Sequence, residues 1–151
     1  MTAVTIARED PRQAEVVGLI TDLDALMQTL YPAESNHLLD IGTLAGPDVR
    51  FFVARRDGAA LGCGAVRVDT AWGEVKRMYV HPDARGAGIG RRILDRIEEQ
   101  ARAEGLTGLR LETGIRNPEA RALYRAAGFT ERGPFGDYAP DPLGVFMEKA
   151  L

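Results

Sequence analysis

The chain has 151 residues, 45% hydrophobic and 27% charged, with 19 Lys+Arg against 22 Asp+Glu and a formal net charge of -3. That length suits a single domain over residues 1–151, able to bury roughly 68–70% of its unfolded-chain surface without a disulfide or metal staple. The charge balance offers no excess of cations to neutralise phosphates, which sets the expectation of no nucleic-acid partner. The single cysteine, Cys63, rules out an internal disulfide framework, and His37 and His81 are too few for an ordinary histidine metal site. No window approaches 18 consecutive apolar residues, and the first eight residues lack the basic, apolar, small-residue layout of a signal peptide. The expectation is a cytoplasmic, reduced protein with no membrane partner.

In chain order, Val4–Ala7 reads as a short strand. Asp10-Pro11 offers an N-cap carboxylate followed by proline at the first helical position. Val16, Ile20, Leu23, Met27 and Leu30 then recur at helical spacing and predict one buried stripe. Pro32 breaks that helix, and a polar turn leads into a short apolar helix around Leu38, Leu39 and Ile41. Val49–Ala54, Ala60–Val68 and Glu74–Val80 read as three antiparallel strands, with turns at Asp57-Gly58 and near Trp72-Gly73. A helix is predicted from about Arg91 to Glu104, stopped by Gly105. Leu109–Thr113 is a further strand, and Asn117-Pro118 opens a helix that ends at Gly128. Strands around Phe129–Arg132 and Val145–Lys149, joined by a glycine- and proline-rich loop, close the chain.

The most informative segment is Arg85-Gly86-Ala87-Gly88-Ile89-Gly90-Arg91-Arg92, where three glycines alternate just ahead of a helix. Such a run lets main-chain N–H groups converge, and the helix start adds unsatisfied donors and about half a positive charge. That arrangement holds phosphate. Arg85, Arg91 and Arg92 bring three guanidinium groups to its vicinity. A Walker loop would need Gly-Lys-Ser/Thr, and a dinucleotide fingerprint would need Gly-x-Gly-x-x-Gly. Neither spacing is present. A glycine turn with no ligand is the alternative, weakened by the backbone entropy that three glycines give up.

With Arg85-x-x-Gly88-x-Gly90 after a strand, and Asn117-x-x-Ala120-x-x-Leu123-Tyr124-x-x-x-Gly128-Phe129 further on, the sequence resembles the GNAT superfamily of acyl-CoA-dependent N-acyltransferases over nearly its whole length. The resemblance implies a mixed, mostly antiparallel α/β (α+β) sheet of six to seven strands with about four helices and splayed central strands. It implies acetyl-CoA as the donor. Arg85, Gly86, Ala87, Gly88, Ile89, Gly90 and Arg91 would then wrap the pyrophosphate. The strand through Met78, Tyr79 and Val80 would pair with pantetheine, the Met78 N–H serving the thioester oxygen. Asn117 would contact pantetheine as well as cap its helix.

Transfer of an acetyl group to an amine requires loss of a proton from an amine of pKa near 10 and return of one to a thiolate of pKa about 8.5. Tyr124, on the stripe Ala120, Leu123, Tyr124 and Ala127, would be the acid under the resemblance, and a core tyrosine otherwise. Glu74 would be the base or hold the relaying water, with Glu112 as the alternate carboxylate. In sequence, Glu74 shares one strand face with Lys76, Met78 and Val80. Glu74 is otherwise a strand-end glutamate paired with Lys76 or Arg77. His81 before Pro82 reads as a turn residue and Cys63 as a buried hydrophobe. With no cysteine–histidine pair in view, direct transfer in a ternary complex is preferred.

For the acceptor, Tyr31, Glu34, Asn36 and His37 form one candidate cluster and Phe135-Gly136-Asp137-Tyr138 another. Lys76, Arg77 and Arg110 could serve an acidic or zwitterionic acceptor. The leading expectation is therefore a small-molecule amine as partner. A noncatalytic acyl-CoA-binding module and a protein N-terminal or lysine acetyltransferase remain the alternatives. The resemblance is compatible with a homodimer.

Overall fold

A computed structural model describes residues 3–35 and 40–151. Along the chain run β1 Thr5–Arg8, α1 Ala14–Leu30, α2 Ile41–Leu44, β2 Val49–Arg56, β3 Ala59–Asp69, β4 Trp72–Val80, α3 Ile89–Ala103, β5 Gly108–Gly114, α4 Pro118–Ala126, β6 Thr130–Arg132 and β7 Gly144–Ala150. The strands form one seven-stranded sheet in the order β1-β2-β3-β4-β5-β7-β6, antiparallel throughout except for β4 beside β5. This is the mixed α/β architecture expected from the sequence.

Strand alternation divides the core in two. Phe52, Val66, Leu109 and Met147 face α3 and α4, packing with Ile93, Leu94 and Ile97. Phe51, Val53, Cys63 and Tyr79 face α1, packing with Val16, Leu19 and Ile20. Each of the larger side chains contributes about 1.5–3 kcal/mol by leaving water, which anchors α1 and α3 on opposite faces.

The feature that creates a site is the middle of β4. Cys63 pairs with Tyr79 but Ala65 pairs with Lys76, so β4 carries one extra residue across this step. Arg77 takes up the excess at φ 59, in the left-handed region, as a β-bulge that bends its strand. On the other side, β4 pairs with β5 only over Trp72–Val75 against Gly108–Leu111. Beyond the bulge the two parallel strands separate, opening a gap between them.

The bulge also reverses which face each side chain takes, because the side-chain period of a strand is two. Val75 and, past the bulge, Met78 and Val80 all pack on the α3 side, whereas Tyr79 packs on the α1 side. Glu74 and Lys76 therefore do not share a face with Met78 and Val80, contrary to simple alternation.

Several sequence expectations shift in detail. Helix α1 begins at Ala14, not Pro11: the Asp10 carboxylate accepts from the Arg12 backbone N–H at 2.9 Å and from its guanidinium, closing a turn before the helix. The turn expected near Trp72-Gly73 falls at Thr70-Ala71, and Trp72 and Gly73 lie within β4. Gly73 serves packing, since a Cβ there would come within 2.7 Å of Val66 and 3.0 Å of Leu109. Helix α3 starts two residues early, at Ile89, with Gly88 as its N-cap. Helix α2 is capped by Asp40, which accepts from Thr43 N at 2.7 Å. The expected Leu38 and Leu39 lie outside the described residues.

Candidate functional site

The gap between β4 and β5 continues into a cleft of ≈ 500 Å³, with the β4–α3 loop at one end and α1 and α4 on its flanks. Gly86 at φ 87 and Gly88 at φ 74 hold the loop in left-handed conformations that a side chain would oppose. Their turn delivers the first N–H groups of α3 to the cleft, and the first turn of α3 contains no acidic residue to offset its positive end. Arg85, Gly86, Gly88, Ile89, Gly90 and Arg91 line this end.

The arginines divide. The Arg85 Nε donates to Val80 O at 3.0 Å and its guanidinium lies 5.7 Å from the Tyr79 ring centroid. Arg91 pairs with Asp95 at 3.0 Å and donates to Ala126 O, on the α4 bank. Arg92 does not join them. One helical position further round, it reaches across the α3 face and donates to Val4 O at 2.9 Å.

His81 N donates to Leu61 O, so alternation along β4 turns the main-chain groups of Val80 and Met78 away from β3 and toward the gap. These are the strand positions expected to pair with an extended ligand. Such a ligand would need an unpaired strand edge, a glycine cradle and a helix N-terminus in succession, and the cleft provides all three. The residues present thus fit a pantetheine arm followed by a pyrophosphate.

A smaller cavity of ≈ 150 Å³ lies on the other side of the gap, lined among others by Tyr31, Glu74, Lys76, Glu112, Tyr138 and Gly144. It shares Leu23, Met27, Met78, Asn117, Ala120 and Tyr124 with the cleft. Tyr124 is 6% exposed, tilted against Phe129 at a centroid distance of 5.8 Å, and burial raises its hydroxyl well above the usual tyrosine range. Among the described residues its hydroxyl has no hydrogen-bond partner, which is unlike a core tyrosine satisfied by backbone. At a site near neutral pH it therefore stays protonated and can donate.

Glu74 is 13% exposed and held on one oxygen. Its Oε2 accepts from Lys76 Nζ at 3.0 Å and from the Tyr138 hydroxyl at 2.5 Å, while Lys76 Nζ also lies 2.8 Å from the Tyr138 hydroxyl. Burial, then the bond to Glu74 and the charges of Glu74 and Glu112, push the Tyr138 hydroxyl strongly upward. Glu74 is thus ion-paired with Lys76 as one sequence reading had it, though inside the molecule and not as a solvated strand end.

The remaining candidates separate. Asn117 occupies the N-cap position of α4 but makes no capping hydrogen bond with its side chain, and its Nδ2 instead approaches Met27 Sδ at 3.9 Å on the cleft wall. Tyr31 lines the smaller cavity, with its hydroxyl accepting from Arg116 N at 2.9 Å. That bond ties the end of α1 to the loop after β5, at a point where Gly114 leaves room for the ring. Asn36, His37 and the side chain of Glu34 lie outside the described residues. Arg77 is paired with Asp24, and Arg110 with Asp69 at 3.3 Å while stacked 4.6 Å from the Phe135 centroid, so these cations are engaged elsewhere. Phe135 is core, edge-on to Phe146, and only Tyr138 of its segment lines the cavity. His81 accepts from Asp83 N as a turn residue. Cys63 is fully buried with its thiol pushed up to about 12 by burial.

Sequence reasoning missed Met27 and Leu143 as cavity walls and Tyr138 as the partner of Glu74. The first sits on a helical stripe that reads simply as core, and the others come from a loop with no periodic signal.

A sequence profile described as "Acetyltransferase (GNAT) family" matches residues 11–129. The chain is 61% identical over 100% of both chains to an "IAA acetyltransferase" of Azospirillum brasilense, and 36% identical to the "uncharacterized N-acetyltransferase YsnE" of Bacillus subtilis over 95% of this chain and 97% of that one. Among solved structures, a provisionally assigned acyl-CoA N-acyltransferase of Klebsiella pneumoniae superposes with a TM-score of 0.84 at 39% identity, covering 98% and 97% of the two chains. A Thermoplasma acidophilum N-acetyltransferase in complex with coenzyme A shares the fold at TM-score 0.77 and 16% identity over 99% of each chain.

Proposed function

Because the chain belongs to the GNAT acetyltransferase family, with its acyltransferase chemistry on an acyl-CoA donor, we propose that it moves an acetyl group from acetyl-CoA to the primary amine of a small molecule in a single ternary complex. The observation that carries this reading is the shared wall. A long cleft suited to an extended thioester and a compact cavity suited to an amine meet at Tyr124, Met78 and Asn117.

In this reading acetyl-CoA supplies a thioester, an acyl group already activated for attack by an amine. The residues from Arg85 to Arg91 hold the pyrophosphate through main-chain N–H groups, and β4 fixes the arm by its exposed edge. The Met78 N–H points to the gap and stabilises negative charge developing on the carbonyl oxygen. Tyr124, kept protonated by its burial, donates a hydrogen bond from its hydroxyl to the departing sulfur and stabilises the charge that develops there. Glu74 is bound to Lys76 and Tyr138 through Oε2, leaving Oε1 to take the amine's proton, directly or through a water. The cavity is below the roughly 300–1,000 Å³ of pockets for drug-sized ligands, which favours a compact acceptor over a docked protein surface. A second reading, favoured by the 61% identity to the Azospirillum protein, is that the two share an acceptor.

The test is calorimetry with acetyl-CoA followed by thiol-release assays over a panel of amines and IAA. One-to-one binding, and acetyl transfer that Tyr124→Phe lowers about 10²-fold or more, are expected. Tight binding with no transfer to any compound would replace this reading with a noncatalytic acyl-CoA-binding module.

A further inference from the structure

The peptide joining Arg77 to Met78 lies at the apex of the β4 bulge and is held from two sides. On β3, Gly64 alone stands across from Arg77 and Met78, because Cys63 pairs with Tyr79 and Ala65 with Lys76. The Met78 side chain occupies the space that Gly64 leaves: a Cβ there would come within 2.5 Å of Met78 Sδ and 2.7 Å of Ile93. Cys63, fully buried, donates from Sγ to Arg77 O at 3.3 Å. Burial pushes that thiol up to about 12, so at neutral pH it carries the proton it donates. From α1, Asp24 pairs with the Arg77 guanidinium, whose side chain is 4% exposed.

A trans peptide is planar, so its carbonyl and its N–H point in opposite directions. Arg77 O is held toward Cys63, and the Met78 N–H of the same peptide is thereby aimed the other way, toward the gap. An arginine at φ 59 is in a conformation that L-residues resist, and it persists only where its neighbours impose it. The thiol and the ion pair are such neighbours. Resting on the acetyltransferase reading, we infer that Cys63 and the Arg77–Asp24 ion pair position the main-chain N–H that stabilises the thioester oxygen. Among the described residues that line the cleft and the cavity, Cys63 and Asp24 are absent and Arg77 belongs to the cavity alone. All three are therefore positioning residues, acting through one peptide. Without them the bulge peptide can rotate, and its N–H loses alignment with the oxygen while the rest of the strand edge remains. Such a donor works by prior alignment, so a small rotation costs rate more than it costs binding. The cysteine read as a simple buried hydrophobe thus has a hydrogen-bonding role directed at the site.

The experiment records the infrared carbonyl stretch of acetyl-CoA, carbon-13 labelled at that carbonyl, free and bound without acceptor. The native chain is compared with Cys63→Ala, Cys63→Ser and Arg77→Gly, and kcat is measured on each by thiol release. Binding to the native chain is expected to move the band to lower frequency, the mark of a hydrogen bond to the carbonyl oxygen. Cys63→Ala should lose most of that shift and lower kcat about fivefold, the worth of one hydrogen bond. Cys63→Ser gives up similar volume but keeps a donor, so it should restore both. Arg77→Gly accepts the left-handed backbone and removes the tie to α1. It should lose the shift as well and lower kcat about tenfold or more. Acetyl-CoA affinity by calorimetry should stay within about threefold throughout, because the glycine cradle is untouched. A native shift that Cys63→Ala and Arg77→Gly leave unchanged overturns the inference. Equal effects of Cys63→Ala and Cys63→Ser also overturn it, since the thiol would then only fill volume. Where Arg77→Gly does not fold, the two cysteine variants decide. If acetyl-CoA binds to the native chain with no shift, the Met78 N–H is not the oxyanion donor, and the inference falls while the donor site stands. If acetyl-CoA does not bind, the acetyltransferase reading falls with it.

Discussion

The cleft and the smaller cavity meet at one wall but are built from different materials. The cleft is mostly main chain: an unpaired stretch of β4, two glycines at positive φ and the start of α3. The cavity is mostly side chains, organised by ion pairs such as Glu74–Lys76 and Arg77–Asp24. A main-chain site is fixed by the fold and tolerates change in side chains pointing elsewhere. A side-chain site can change specificity with one substitution while the fold remains. The contrast predicts that substitutions on the two sides will fail differently, in donor affinity on one and in acceptor kinetics on the other.

The residue on the shared wall should show the largest effect. Tyr124→Phe removes the hydroxyl proposed to serve the departing sulfur and little volume, so turnover is expected to fall about 10²-fold or more, with acetyl-CoA affinity by calorimetry within about twofold. Loss of affinity instead would make Tyr124 a packing residue of the cleft and erase the division of labour.

Next is the cradle. At Gly88, with φ 74 and nothing within 4 Å of a built Cβ, any cost of a side chain is conformational and not a clash inside the protein. Gly88→Val opposes the left-handed backbone by roughly 1–2 kcal/mol, so acetyl-CoA affinity should weaken about tenfold as the loop relaxes. Acceptor KM, measured at saturating acetyl-CoA, should stay within about twofold. Unchanged donor affinity would mean that the loop is not the phosphate-binding element. On the other side of the wall, Tyr138→Phe deletes one hydrogen bond to Glu74, worth about 1 kcal/mol. It should lower acceptor kcat/KM about fivefold without affecting donor binding.

The same contrast decides what the sequence could reveal. Arg85-Gly86-Ala87-Gly88-Ile89-Gly90 announces itself because a cradle of main-chain N–H groups needs glycine at adjacent positions. The helices and strands around it follow from local periodicity. Glu74 was legible as a residue but not as a network, since its partner Tyr138 lies 64 positions away in a loop without a repeating pattern. Arg77 pairs with Asp24 across 53 positions. The bulge was hidden because a bulge can be occupied by an ordinary residue: nothing about arginine announces φ 59, and the extra residue silently moves Met78 and Val80 to the opposite face from Glu74. Asp10-Pro11 illustrates a local signal read correctly in kind and wrongly in place, because Arg12 captured the carboxylate before a helix could.

The last effect concerns stability and not catalysis, and it separates the two halves of the core by pH. Burial raises the Cys63 thiol from 9.0 to about 12, and raises the Tyr124 hydroxyl above its ordinary 10.0. In both cases the folded state holds its proton where the unfolded chain releases it. Above the unfolded pKa the unfolded state binds fewer protons, so stability falls as pH rises. The contribution of Cys63 is complete below pH 9 and is lost progressively toward pH 12. By pH 10 the loss amounts to about 1.4 kcal/mol, while the tyrosine loss is only beginning. Urea unfolding at pH 8, 9 and 10 should therefore show falling stability in the native chain, and Cys63→Ala should remove most of that fall. Tyr124→Phe should leave the fall to pH 10 nearly intact and reduce only the further loss above it. Were the two variants to respond alike between pH 9 and 10, the thiol under α1 would not be the group that starts the decline.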